Sequence, residues 1–73
     1  MKIIYDVFRD LLYIRLDDQP QPVTNRRVSE NVVLDIGEGD RIVGIEILDA
    51  SESLVLEKLL PVRFQVLQEA TLA

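Results

Sequence analysis

Apolar and polar side chains take turns along most of the first 48 residues, and the period of two predicts strands. In the stretch Asp10 to Asp17, Leu12, Ile14 and Leu16 share one face while Leu11, Tyr13 and Arg15 share the other. Lys2 to Tyr5 is a shorter run of the same kind, and Asp6 to Asp10 between the two has the length of a hairpin loop, so these strands should pair antiparallel. Asp17-Asp18-Gln19-Pro20-Gln21-Pro22 holds two prolines and no apolar residue, and reads as an exposed loop. Residues 23–28 then form an edge strand shielded by Asn25, Arg26 and Arg27. Asn31 to Ile36 alternates again, with Val32, Leu34 and Ile36 opposed to Val33 and Asp35.

Gly37-Glu38-Gly39-Asp40 is a hairpin loop in which both glycines are free to adopt positive φ. Arg41 to Leu48 follows as strand five. It carries Val43, Ile45 and Ile47 on one face and Ile42, Gly44, Glu46 and Leu48 on the other, which places it centrally or beneath a partner subunit. Asp49 as N-cap and Glu52 three residues later match a capping box, and Leu56, Leu59 and Leu60 recur at helical spacing until Pro61 stops the helix. Val62, Phe64 and Val66 alternate with Arg63 and Gln65 and favour a sixth strand over 62–68, although Val62, Val66, Leu67 and Ala70 would also line one side of a helix. The fold class expected is α+β: an antiparallel sheet of five to six short strands, with one short helix after strand five.

Composition narrows the chemistry. The 73 residues make one domain, 1–73, and 27 of them are Val, Ile or Leu, enough for a core. No cysteine and no histidine is present, which removes disulfides, thiolate and imidazole nucleophiles and the commonest metal ligands. The net charge of −5 offers no general attraction to phosphate or anionic lipid, so nucleic acid is not expected as a partner. No apolar run reaches the roughly 20 residues of a spanning helix, and the N-terminus lacks the pattern of a secretory signal, so no membrane association and a cytoplasmic location are expected. So small a domain, without a disulfide, needs dense packing or self-association, and a homodimer is expected.

Two segments, Tyr5-Asp6-x3-Asp10-x-Leu12-Tyr13-Ile14-x-Leu16 and Gly44-Ile45-Glu46-Ile47-Leu48-Asp49-Ala50-Ser51, resemble the small prokaryotic family called domain of unknown function 2283. The likeness runs from about residue 2 to residue 53 and takes in the hairpin region Asp35 to Gly39; Leu11 stands where members often have alanine. The resemblance implies a compact, mostly antiparallel β domain followed by a short helix, without an established activity. It also implies an antitoxin-like or accessory role beside a toxin-like protein partner.

Asp6, Asp10, Glu46 and Asp49 are the acids within the two motifs, and together they form the candidate polar cluster, with Arg15 as the expected ion-pair partner of Glu46. Brought together, such carboxylates would hold a divalent cation or do general acid–base work. The simpler expectation is that Asp6 and Asp10 serve turns and Asp49 a cap. Arg26-Arg27 is the single basic doublet and the candidate partner edge, a solvated edge before it is a phosphate site. Gly37-x-Gly39 lacks the third glycine, the lysine and the helix of a phosphate loop. The function expected is that of a non-catalytic, homodimeric protein-binding module without resident cofactor or metal. A carboxylate-based divalent-metal-dependent enzyme is the first alternative, and a weak nucleic-acid binder the second.

Overall fold

A computed structural model of the chain describes residues 1–59 and 61–68. Five strands, β1 (Lys2–Asp6), β2 (Leu11–Arg15), β3 (Thr24–Arg27), β4 (Val32–Ile36) and β5 (Ile42–Leu48), form one antiparallel sheet in the order β1-β2-β5-β4-β3. The central place expected for strand five is observed: β5 pairs with β2 on one side and β4 on the other. Val43 and Gly44 are buried, Ile45 to Leu48 are half-buried and Ile42 is exposed, so its near-continuous apolar run is only partly covered within one chain.

Local chemistry builds the hairpins. In the β1–β2 turn the Asp6 carboxylate accepts the backbone N–H groups of Phe8 and Arg9 at 3.0 and 3.2 Å, while Asp10 takes the left-handed conformation at φ 50°. Between β4 and β5 a 3₁₀ turn spans Glu38–Asp40, with positive φ at Gly39 and Asp40. Gly37 departs from expectation. Its φ is −99°, and it is needed for space instead: a Cβ there would run into Gln21 Oε1 and lie 2.6 Å from Val43 Cγ2. The register slips between Asp35 and Ile36, so that Asp35 faces Gly44 and Ile36 faces Ile42, leaving Val43 as the bulged residue, fully buried. The Val43 carbonyl accepts from both Leu16 N–H and Asp17 N–H, which ties the crossing loop to the sheet.

Two expectations for the chain after β5 are corrected. One short helix follows strand five as expected, but it is the four-residue, uncapped α1 (Ala50–Ser53), and the leucines beyond it lie in or beside a separate 3₁₀ turn over Leu56–Lys58. Asp49 stands in the left-handed region at φ 51° and makes no side-chain cap, because an N-cap carboxylate reaches the next turn only from an extended backbone. Leu54 at φ −127°, ψ 149° then breaks the helix before β-branched Val55. With so little helix the molecule is mostly sheet, and α+β overstates it. The sixth strand is absent among the described residues, since 62–68 pairs with no strand. Leu60 and Ala70, named for helical spacing, lie outside the described residues.

Cross-strand register sorts the sheet into two faces. Ile3, Ile14, Ile45 and Leu34 align in one apolar row, and Tyr5, Leu12, Ile47 and Val32 in the next. Leu56 and Leu59 share an apolar cleft with Ile3, Tyr5 and Leu12. Among the described residues no helix is long and apolar enough to cross a membrane.

Candidate functional site

The opposite face of the sheet carries the polar residues. Lys2, Arg15, Gly44, Asp35 and Asn25 stand opposite one another in one row across all five strands, and Tyr13, Glu46 and Val33 occupy the middle of the next. Gly44 leaves a gap in the first row, and Tyr13 leans into it: a Cβ on Gly44 would lie 2.6 Å from the Tyr13 hydroxyl. Through that gap the Tyr13 hydroxyl, carried on β2, donates to Asp35 Oδ2 on β4 at 3.0 Å. Asn25 on β3 closes the group by donating through Nδ2 to Asp35 Oδ1 at 3.3 Å and to Glu46 Oε2 at 3.1 Å.

Arg15 completes the other side. Its guanidinium donates to the Tyr13 hydroxyl at 3.3 Å, to the Asp17 carbonyl at 2.5 Å and to the Gln19 carbonyl at 3.1 Å. The ion pair expected between Arg15 and Glu46 does not form, because Arg15 stands across from Gly44 while Glu46 stands across from Tyr13. Glu46 instead has an acid for a neighbour. The carboxyl of Asp35, by hydrogen bonding and then by its charge, together with partial burial, raises the pKa of Glu46 against the opposing hydrogen bond from Asn25. Burial first, and the adjacent Asp35, also raise the Tyr13 phenol despite Arg15. Asp35 is only 6% exposed, and it is the one buried charged side chain among the described residues. Every buried side-chain nitrogen and oxygen described has a partner.

The remaining candidates do other work. Asp6 holds its turn and pairs with Arg9 at 3.0 Å, and the hydrogen bond from the Arg9 backbone lowers its pKa. Asp10 joins the hairpin to α1: it accepts the Tyr5 hydroxyl at 2.6 Å, the Ser51 N–H at 3.0 Å and the Ser51 hydroxyl at 2.6 Å. Its carbonyl also accepts the Ala50 N–H. The Ser51 hydroxyl is the chief reason its pKa is lowered. Asp49 is an exposed residue that supplies the backbone of the turn. Asp6, Asp10 and Asp49 therefore do not converge on Glu46, and among the described residues no group of three or more acids is arranged to hold a metal ion. Arg26 and Arg27 are separated too: Arg26 lies across from Leu34 on the apolar side, while Arg27 lies across from Val33 and donates to the Glu30 carbonyl.

Tyr13, Asn25, Asp35 and Gly44 were not among the sequence-predicted site residues. A glycine in the middle of a strand rich in β-branched residues was the available signal, since it marks a close approach by a neighbour. In comparison with known proteins, the model of the family described as "Protein of unknown function (DUF2283)" fits residues 2–51. No curated protein and no solved structure matches the chain.

Proposed function

For a chain that belongs to the DUF2283 family, we propose a non-catalytic role as a protein-binding module that associates first with a second copy of itself. One observation carries this reading. Leu12 is 2% exposed, but Ile14, Leu34, Ile45 and Ile47 on the same sheet face stay only half-buried, and Leu56 and Leu59 share a cleft with Ile3, Tyr5 and Leu12 rather than with them. A half-covered apolar sheet face in so small a domain is completed by another surface. The polar face, by contrast, is a hydrogen-bonded cluster in which the Tyr13 hydroxyl donates to Asp35 and burial raises the phenol pKa. A cytoplasmic dimer of this kind, with a toxin-like protein as its further partner, is the biological form of the proposal.

Light scattering across a range of protein concentrations tests it, and a mass of twice 8.4 kDa is the expected result. A mass that stays at one chain throughout would sink it. Calorimetric titration with magnesium, manganese and calcium addresses the enzyme alternative. A saturable one-to-one signal abolished by Glu46→Gln would replace the binding module with a metal-dependent activity.

A further inference from the structure

Residues 62–68 hold apolar side chains in full solvent. Phe64 is 92% exposed, Leu67 85%, Val66 64% and Val62 48%. The segment has no assigned secondary structure, and no backbone hydrogen bond or strand pairing of the described residues involves it. Its order, Val62-Arg63-Phe64-Gln65-Val66, is that of a strand with one apolar face. The sheet meanwhile ends in two open edges, β1 and β3.

The two edges differ as hosts. β3 carries Arg26 and Arg27 after a loop with two prolines, the usual protection of an edge, and it would set these arginines against Arg63. β1 has no proline, shows Ile3 and Tyr5 on the apolar side, and ends in Asp6. One antiparallel register suits four successive positions: Arg63 opposite Asp6, Phe64 opposite Tyr5, Gln65 opposite Ile4 and Val66 opposite Ile3. In that register Phe64 and Val66 extend the apolar face, and Arg63 and Gln65 join the polar one.

We propose that residues 62–68 of one copy add as a sixth strand to the β1 edge of a second copy, reciprocally about a two-fold axis. The proposal rests on the reading of the protein as a self-associating module, and it specifies how the two copies join. A second copy is the occupant because among the described residues of one chain neither the segment nor the outer side of β1 has a strand partner, although Leu59 shares a cleft with Ile3 and Tyr5. Reciprocal exchange supplies both with partners.

The chain contains no cysteine, so a chosen pair reports without background. With Ile4→Cys and Gln65→Cys in one chain, oxidation should give a covalent dimer on non-reducing electrophoresis. A disulfide closed within a single chain, or none at all, overturns the proposal. Gln65→Pro provides the second test, since the segment makes no hydrogen bond within its own copy and the fold should survive, with an unchanged far-ultraviolet dichroism spectrum. Its dimer dissociation constant should rise at least roughly tenfold. If the parent chain is dimeric and Gln65→Pro dimerises equally well, strand exchange fails while self-association stands; a parent chain that never dimerises removes both.

Discussion

The Tyr13 hydroxyl lies where a side chain on Gly44 would begin: a Cβ there would come within 2.6 Å of the hydroxyl oxygen and 2.9 Å of Cζ. Directly opposed residues on neighbouring strands are about 5 Å apart, so a residue on β2 ordinarily meets β5 and stops. The glycine lets Tyr13 pass over β5 to reach Asp35 on β4. One missing methyl group thus connects three strands through a single hydrogen bond.

Gly44→Ala should therefore be disruptive, although the backbone there needs no positive φ. The new methyl must displace Tyr13 and weaken its bond to Asp35, at a cost of about 1–3 kcal/mol, the usual scale for overpacking. Urea denaturation measures this. In a Tyr13→Ala background the ring is gone, and the same Gly44→Ala change should then cost nearly nothing; an equal cost in both backgrounds would mean that the ring is not the obstacle.

Tyr13→Phe isolates the hydroxyl. Asp35 is 6% exposed, and removing the phenol takes the donor from its Oδ2 while Asn25 still donates to Oδ1. A buried carboxylate that loses a hydrogen bond costs about 1–3 kcal/mol. The same substitution at Tyr5, whose hydroxyl reaches Asp10 on the exposed side, should cost less. Equal losses at the two positions would show that burial of Asp35 does not set the penalty.

The hairpins and the central strand were legible because their causes are local. Asp6 and Asp10 at the first turn, Gly39 at the second and the two-sided apolar run of β5 act through residues a few positions away. The polar cluster was not legible, because it depends on which residue of β2 stands across from which residue of β5. Charge alone pairs Glu46 with Arg15, yet the register sets Arg15 against Gly44 and Glu46 against Tyr13. Asp10 was legible as a turn residue, but its bonds to Ser51, 41 positions away, were not. The capping box failed for the related reason that Asp10 draws the Ala50 and Ser51 N–H groups to itself and holds Asp49 in the left-handed region.

Asp10→Asn tests that link between hairpin and helix. Asparagine tolerates the left-handed backbone at this position. Its amide nitrogen, however, offers a donor to a site crowded with donors, the Tyr5 hydroxyl and two groups of Ser51. The melting temperature should fall further than in Asp18→Asn, a change at an exposed acid of the loop. Hydrogen exchange should show the Ala50 and Ser51 amides losing protection first. Unchanged protection at these amides would mean that α1 is held by something other than Asp10.

Opposing carboxylate shifts set the pH dependence of stability. Backbone N–H groups of Arg9 and Gln19 hold Asp6 and Asp17 below the ordinary aspartate value of 3.8, and Ser51 does the same for Asp10. Each binds its proton less tightly folded than unfolded, so the stability they contribute is present above that value and is lost as pH falls below it. Glu46 has the opposite sign: Asp35 raises it above 4.5, the folded state holds the proton more tightly, and its contribution is lost as pH rises from 4.5 through the raised value. Stability should accordingly be greatest in mildly acidic solution and decline toward neutrality. Glu46→Gln keeps an oxygen for Asn25 and offers Asp35 a donor, so it should abolish the decline and stabilise the protein at pH 7 by about 1 kcal/mol, the scale of one net hydrogen bond. Urea midpoints from pH 3 to 8 measure both effects, with Glu57→Gln as a control that removes the same charge from an exposed position. If the decline survives in Glu46→Gln, or disappears equally in Glu57→Gln, the Asp35–Glu46 pair is not its cause.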